Sequence, residues 1–377
     1  MRILGIETSC DETSAAVVED GVRVLSNVIF SQVPLHQITG GVVPEVAARE
    51  HVVKIMPVVE EAIEIAAKNL RTKKSWREQK FSMQDIDVIA VTQGPGLLSS
   101  LVIGTTAAST IATVLGKPLI GVNHIAGHIY ANWLNRSRDH VEFPCVVLTA
   151  SGGHNELVLM REHDRFELIG ETLDDAAGEA FDKVARLLGM GYPGGPQIAR
   201  AAHAGNALCY SFPKAYMGED NFDFSFSGLK TAMLNFIKEE HRANNILSET
   251  FIADCSASFQ EAVCGVLSDK LLHASQKFRA KTIIISGGVS ANQRLRAMIA
   301  EKLEGEYFHD HKGHKVTLRT KPVFDFPADI SFCTDNAAMI AGAAYFHVQR
   351  SGGLAKFSSR KATAVILGDP NLRLYSK

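Results

Sequence analysis

Arg2-Ile-Leu-Gly-Ile-Glu7, then Thr8-Ser-Cys-Asp-Glu-Thr-Ser14, then the apolar run Ala15 to Val18, is the stretch from which the fold is read. It spells a short strand, a polar turn and a second strand. A third β-rich run, Val22 to Phe30, follows after Asp20-Gly21, a pair that tolerates left-handed backbone and marks a hairpin. The theme returns downstream. Pro144 to Thr149 is an apolar strand, Ser151-Gly152-Gly153-His154 a tight polar turn, and Glu156 to Met160 apolar again. Thr282 to Ile285 repeats it in part, running into Ser286-Gly-Gly-Val-Ser-Ala-Asn292. This repetition predicts an α/β protein of two related lobes, each a mixed sheet with helices, facing one another across a cleft. Ligands are expected at the loops that end the strands.

Between these blocks, Val46, Val53, Met56, Val59, Ile63 and Ala67 recur near helical spacing and predict a helix from Pro44 to Asn69. The segment Lys68 to Lys80, with Arg71, Lys73, Lys74, Arg77 and Lys80, reads as a solvated connector, an RNA contact being the alternative. Val88 to Thr92 is a strand that enters Gln93-Gly-Pro-Gly96 and a helix of small residues. Val88 to Gly116 carries no charge, yet its Gly-Pro-Gly interruption and its Ser, Thr and Ala content favour buried strand, loop and helix over a membrane span. Another strand, Leu119 to Val122, delivers the chain to His124.

Composition narrows the classes. The chain has 377 residues, 46% of them hydrophobic, enough for two domains with full cores. A formal charge of -2 excludes a polycationic nucleic-acid binder, so any RNA contact must come from a local patch or a partner. Six scattered cysteines without a Cys-x-x-Cys pair argue against a zinc ribbon and suit reduced thiols. Glu7 arrives too early for a signal peptide. The expectation is a cytoplasmic protein with no membrane association.

His124 and His128 lie four apart in Asn123-His-Ile-Ala-Gly-His128, so on a helix both imidazoles share a face and can bind one metal ion; capping or packing is the alternative. A metalloprotease of the His-Glu-x-x-His type is disfavoured, because Ile125 stands where the general base belongs. Glycine turns at Ser151-Gly-Gly153, Tyr192-Pro-Gly-Gly-Pro196 and Ser286-Gly-Gly288, with Gly94-Pro-Gly96, could cradle phosphate; plain turn chemistry is the alternative. No Walker A or dinucleotide-binding glycine motif occurs. Glu7, Asp11 and Glu12, on the first turn, could bind a metal, orient water or accept a proton, or Asp11 and Thr13 could cap local backbone. Asp174 and Asp175 read as charge at the start of a helix, and Asp182, bracketed by Phe181 and Val184, is the better functional candidate. Near the C-terminus Thr334 or Asp335 is expected to cap a helix; alternatively Asp335 could complete a two-histidine, one-carboxylate site suited to iron or zinc.

Taken together, Gly5-Ile-Glu-Thr-Ser-Cys-Asp-Glu-Thr13, Asn123-His-Ile-Ala-Gly-His128, Ser151-Gly-Gly-His154, Phe181-Asp-Lys183, Tyr192-Pro-Gly-Gly-Pro196, Phe224-Ser-Phe-Ser-Gly-Leu-Lys-Thr231, Gly287-Gly-Val-Ser-Ala-Asn292 and Thr334-Asp-Asn336 resemble the bacterial TsaD family. These are tRNA N6-adenosine threonylcarbamoyltransferases, related to the catalytic subunit of the KEOPS complex. The likeness runs in order from Arg2 to about Ala344. It implies the actin/Hsp70/sugar-kinase fold with two RNase H-like lobes: residues 1–128 completed by a helix near 335–350, and residues 129–334 with helical insertions. It further implies one divalent metal, iron or zinc, on His124, His128 and Asp335. Threonylcarbamoyl-adenylate is expected on Thr149, Ala150, Ser151, Gly152, Gly153, Asp182, Gly195 and Asn292. Thr149-Ala150 stands where many relatives have Leu-Val or Tyr-Val, and Asn155 where threonine is common, so contacts at 149 and 150 are expected from backbone.

The implied reaction moves the threonylcarbamoyl group to the N6 amine of adenosine 37 in tRNAs reading codons that begin with A, with Asp11 or Glu12 as candidate proton acceptors. tRNA, a paralogous TsaB-type subunit and a small TsaE-type ATPase are the implied partners, with ATP a further candidate ligand of the complex. The rivals are an ATP-dependent kinase or chaperone-like ATPase of the same fold, a non-catalytic partner subunit, against which the intact His124, His128 and Asp335 set speaks, and the disfavoured metalloprotease.

Overall fold

The computed structural model describes residues 1–70, 81–214, 221–244, 246–310, 313–358 and 365–375. The basic stretch from Arg71 to Lys80 lies outside them. By internal contacts the chain forms two units, 1–140 with 163–165 and 327–377, and 141–162 with 166–326.

The first unit is built on a five-stranded sheet. Its strands are β1 (Arg2–Glu7), β2 (Glu12–Glu19), β3 (Arg23–Ser31), β4 (Val88–Gly94) and β5 (Leu119–Asn123), in the order β3-β2-β1-β4-β5. β1 runs antiparallel to β2 and parallel to β4. The β2–β3 hairpin turns at Asp20 and Gly21, both at positive φ (52° and 75°), the mirror-image turn that the Asp-Gly pair predicts. Ile3, Leu4 and Ile6 on central β1 are all fully buried, as a strand covered on both faces requires.

The helices of this unit include α1 (Val33–Thr39), α2 (Pro44–Leu70), α3 (Leu98–Leu115) and α4 (His124–Tyr130). α2 forms where expected, and of the residues whose spacing marked it Val59 and Ile63 do face inward while others do not. Ala47, His51, Ile55, Val58, Val59, Ala62, Ile63 and Ala66 are buried, whereas Val46, Val53 and Met56 are exposed. The helix carries two apolar stripes, and periodicity alone could not say which one meets the sheet. α3 is long and apolar enough to cross a membrane by length and composition. Here it follows the Gly94–Gly96 turn and packs on β4 and α2, with Ser100, Leu101, Gly104 and Thr105 buried.

The second unit repeats the plan. Its strands β6 (Cys145–Ala150), β7 (Asn155–Glu162), β8 (Arg165–Glu171) and β9 (Thr282–Ser286) join a short late strand in a second sheet; a hairpin, β10 (Tyr307–His309) with β11 (Lys315–Thr317), precedes that late strand, β12 (Val323–Asp325). Read as β8-β7-β6-β9-β12, the order matches β3-β2-β1-β4-β5, with β6 antiparallel to β7 and parallel to β9. The helices are α5 (Ala177–Leu187), α6 (Gly194–Ala202), α7 (Ser227–Asn244), α8 (Glu249–Lys277) and α9 (Gln293–Glu304). After them α10 (Ala337–Arg350) returns to the first unit and packs on α4 and β1. None of the six cysteines is in a disulfide.

Candidate active site

α4 is the shortest route from β5 into a helix, and it holds His124 at its first position and His128 at its fifth. Asn123 caps it, its side-chain oxygen accepting from the backbone N–H of Ile125 and Ala126. Every residue of α4 is buried. Gly127 lets α10 come close: a Cβ there would stand 2.7 Å from Ile340 Cδ1 and 3.1 Å from Met339 Cγ. The start of α10 therefore reaches the histidines.

The cap of α10 is Asn336, whose side chain accepts from the Met339 N–H at 3.0 Å, and neither Thr334 nor Asp335 plays that part. With the cap supplied by its neighbour, Asp335 turns its carboxylate to the imidazoles. Oδ1 lies 3.5 Å from His124 Nε2 and 3.2 Å from His128 Nε2. Among the described residues, His124, His128 and Asp335 form a group able to hold a metal ion. Donors about 2.1 Å from a tetrahedral ion stand roughly 3.4 Å apart, close to the two distances from Asp335, and all three donor atoms lie within 4.8 Å of one another. His128 strengthens the fit. It is fully buried, and neither ring nitrogen makes a hydrogen bond, because the Asp335 contact lacks the alignment for one. A buried imidazole left so is costly unless an ion completes it.

Glu7 lies outside this group and orients one of its members. Fully buried at the end of β1, it accepts from the Ser9 N–H, from Thr92 Oγ1 and from His124 Nδ1 at 3.1 Å. A carboxylate only accepts, so Nδ1 carries a proton and Nε2 is the nitrogen that faces Asp335. Burial pulls the His124 pKa down, but the charges of Asp335 and Glu7 outweigh it and lift the value to about 9 in the metal-free site. Asp11 is buried and Glu12 half-buried beside this group. Burial, then the charges of Asp11 and Asp335, push the Glu12 carboxyl well above its ordinary range.

In the second unit β6 and β9 are parallel neighbours with Thr149 opposite Ser286, so their end turns lie side by side. Thr149 Oγ1 bonds Ser286 Oγ at 2.9 Å, and the side chains of Thr149 and Ala150 are buried, leaving backbone to meet a ligand. The Ser151–Gly153 turn is tied to the start of α5: the N–H groups of Gly178 and Glu179 donate to the carbonyls of Ser151 and Gly152, both at 3.1 Å. Asp182 Oδ1 accepts from the Gly194 N–H at 2.7 Å, which joins it to the first turn of α6, where Gly195 sits. Asn292 caps α9 and donates to Gln260 Oε1 at 2.9 Å. Gly152, Gly153, Gly195 and Gly288 face open space where a Cβ would be, the surface a phosphate cradle needs. The Gly94–Gly96 turn is different. Its glycines abut Asp369 and Ser9, so it is filled by the chain itself.

Comparison with known proteins now bears on this site. Residues 23–342 match the model of the family described as "TsaD: tRNA N6-adenosine threonylcarbamoyltransferase". The chain belongs to this family. A relative of that name from Thermomicrobium roseum is 49% identical, over 93% of each chain. Another, from Clostridium perfringens, is 47% identical over 99% of this chain and 98% of its own. Among solved structures, full-length HypF in a phosphate- and nucleotide-bound form (15% identity, TM-score 0.53) covers 93% of this chain and 47% of its own. HypF from T. kodakarensis (14% identity, TM-score 0.54) covers 93% and 48%. At that identity the HypF likeness concerns the fold alone, which is the α/β architecture of the actin/Hsp70/sugar-kinase type.

Two acidic residues work differently from the sequence expectation. Asp174 does not charge the start of α5; its carboxylate accepts from the Phe226 N–H at 2.8 Å and from Ser225 and Ser227, and so caps α7. Asp175 pairs with Lys183 and Lys230, and these cations hold its carboxyl below the usual range against the opposing effect of burial. α5 starts later, at Ala177, and takes Glu179 as its first-turn acid. Glu7 as an orienting group, Asn123 and Asn336 as caps and Gly178 as a clamp were not read from sequence. Asparagine before a helix was the available signal for the caps.

Proposed function

We propose that this chain transfers the threonylcarbamoyl group from threonylcarbamoyl-adenylate to the N6 amine of adenosine 37 in tRNAs reading codons that begin with A, forming t6A. The observation that carries this reading is the family match over residues 23–342 of a chain that keeps the His124, His128 and Asp335 group, with both histidines buried. Those three residues would hold one divalent ion, with iron(II) preferred and zinc the alternative for two imidazoles and a carboxylate with open positions. When bound, the ion supplies a Lewis acid that polarises an acyl oxygen.

The acyl donor is a mixed anhydride with AMP, so the leaving group is already good, whereas the adenine amine is a poor nucleophile. Positioning is the main task. The N6 lone pair adds to the carbamoyl carbon, the carbon–oxygen bond to phosphate breaks, AMP departs, and the amine proton passes to Asp11 or Glu12. In this reading Thr149 and Ala150, through their backbone, and Ser151, Gly152 and Gly153 hold the adenylate. Asp182, Gly195 and Asn292 complete its pocket. Glu7 keeps His124 in the tautomer that ligates.

A net charge of -2 gives the chain no global grip on tRNA, so partners belong to the proposal: a paralogous TsaB-type subunit and a small TsaE-type ATPase, with ATP bound in the assembly. The exposed apolar residues Val52, Met56, Val102 and Val114 of α2 and α3 support docking of such a subunit. A cytoplasmic location is part of the same reading.

The test incubates the chain with those partners, the adenylate-forming enzyme, threonine, bicarbonate, ATP and unmodified tRNA. Mass spectrometry of digested nucleosides then shows threonylcarbamoyl-adenosine. Its absence, with steady ATP turnover indifferent to tRNA, would favour the ATPase rival.

A further inference from the structure

α4 carries both histidines in seven residues, too few to hold a place in the fold by helix propensity. Its start is set by the Asn123 amide. Oδ1 accepts from the N–H of Ile125 at 2.9 Å and of Ala126 at 3.3 Å, while Nδ2 donates to the Leu372 carbonyl at 3.1 Å. An amide that shows oxygen on one side shows NH2 on the other, so the acceptor at Leu372 fixes which way the cap faces.

Leu372 lies in a segment that is itself tied down. The Asp369 N–H donates to the Gln93 carbonyl at 2.8 Å, and the Gly96 N–H to the Pro370 carbonyl at 3.5 Å. Within the segment the N–H of Leu372 reaches the Asp369 carbonyl, and that of Asn371 reaches Asp369 Oδ1. The fit against Gly94 leaves no room for a side chain, since a Cβ there would lie 1.8 Å from the Asp369 carbonyl. Gly94 pairs with Asn123 across β4 and β5. One step further on, the Leu97 N–H donates to the Ser9 carbonyl at 2.8 Å, and Ser9 Oγ lies 3.2 Å from His124 Nδ1. The segment thus bears on His124 by two routes, through Asn123 and through the 94–97 turn that holds Ser9.

We propose that residues 368–373 form a strap that positions the metal-binding helix, with Asn123 and the Leu372 carbonyl as its positioning groups. This rests on the metal reading of His124, His128 and Asp335. The competing account is that the strap only covers apolar surface.

Asn123→Asp separates the two. It keeps the capping oxygen and adds a negative charge that a helix N-terminus favours, so α4 by itself is held as well or better. It removes the donor to Leu372 and sets a carboxylate against a carbonyl. Gly368→Ala disturbs the strap from its far side without touching α4, because a Cβ there meets Leu101 Cβ at 2.8 Å. The zinc dissociation constant of the full chain is measured by competition with a chromophoric chelator, alongside thermal melting of the metal-free protein. Each variant is expected to weaken zinc binding about 10-fold with an unchanged melting midpoint, as loss of a group supporting a ligand does. The double variant is expected to lose little more than one alone, since both release the same strap. Parent-like affinity in Asn123→Asp, multiplying losses in the double variant, or losses that track a fall in melting midpoint would overturn the strap. A parent chain whose zinc binding is absent, or indifferent to His128→Ala, would instead remove the metal reading and this inference with it.

Discussion

Gly178→Ala probes how the Ser151–Gly153 turn, proposed to hold the adenylate, is itself held. The added Cβ would stand 2.5 Å from the Ser151 carbonyl oxygen and 2.8 Å from Gly152 Cα, where ordinary contact begins at 3.4 Å. The neighbours are backbone and cannot swing aside, so the turn must retreat by about 0.9 Å. The two N–H bonds that α5 makes to this turn, each 3.1 Å, then stretch out of hydrogen-bond range. A misplacement near an ångström at a substrate-positioning element costs on the order of 100-fold in rate. Fold stability changes less, because the roughly 1–3 kcal/mol of overpacking is offset in part by the roughly 1 kcal/mol by which alanine exceeds glycine in a helix. The assay is the initial rate of threonylcarbamoyl-adenosine formation across adenylate concentrations, with thermal melting as the control. We expect kcat/KM to fall about 100-fold, with much of the loss in KM, at a melting midpoint within a few degrees of the parent. A folded variant that keeps kcat/KM within threefold would refute the claim that this turn, clamped by α5, holds the adenylate.

Two further outcomes follow from the metal group. Glu7→Gln keeps a hydrogen-bonding side chain but removes the charge that fixes the His124 tautomer, so zinc affinity should drop about 10-fold by chelator competition; an unchanged constant would show that Glu7 only packs. In metal-free protein the His124 pKa is raised to about 9 from an unfolded value near 6.5. Its contribution to stability is therefore complete below pH 6.5 and lost as pH climbs through 9, so the melting midpoint should fall over that window. A fall of the same size in His124→Gln would assign it to other groups.

The features legible in the sequence were those in which one residue type serves one geometry. Asp20-Gly21 needed positive φ at both positions and obtained it. The spacing of His124 and His128 placed them on one face of α4, and the repeated strand-turn-strand blocks became two sheets of matching order. What escaped depended on contacts between distant segments. Asp174 looked like a helix-start acid for its own neighbourhood but caps α7, more than fifty residues away in the chain. Local pattern left Asp335 open between helix cap and third member of the histidine group, the latter being what the family resemblance implied. The fold gives the cap to Asn336 and sets Asp335 beside the histidines. Local pattern marks a polar side chain as useful at a helix end without saying which end it serves. The inward face of α2 escaped in part, for a related reason: Val53 and Met56 are as apolar as the residues that the sheet selects.

The most direct test of the account measures metal and product together in the reconstituted reaction. The parent chain is expected to carry one iron or zinc ion per subunit and to form threonylcarbamoyl-adenosine on tRNA. His128→Ala is expected to lose both while still folding. A metal-free His128→Ala chain that modifies tRNA at the parent rate would contradict it.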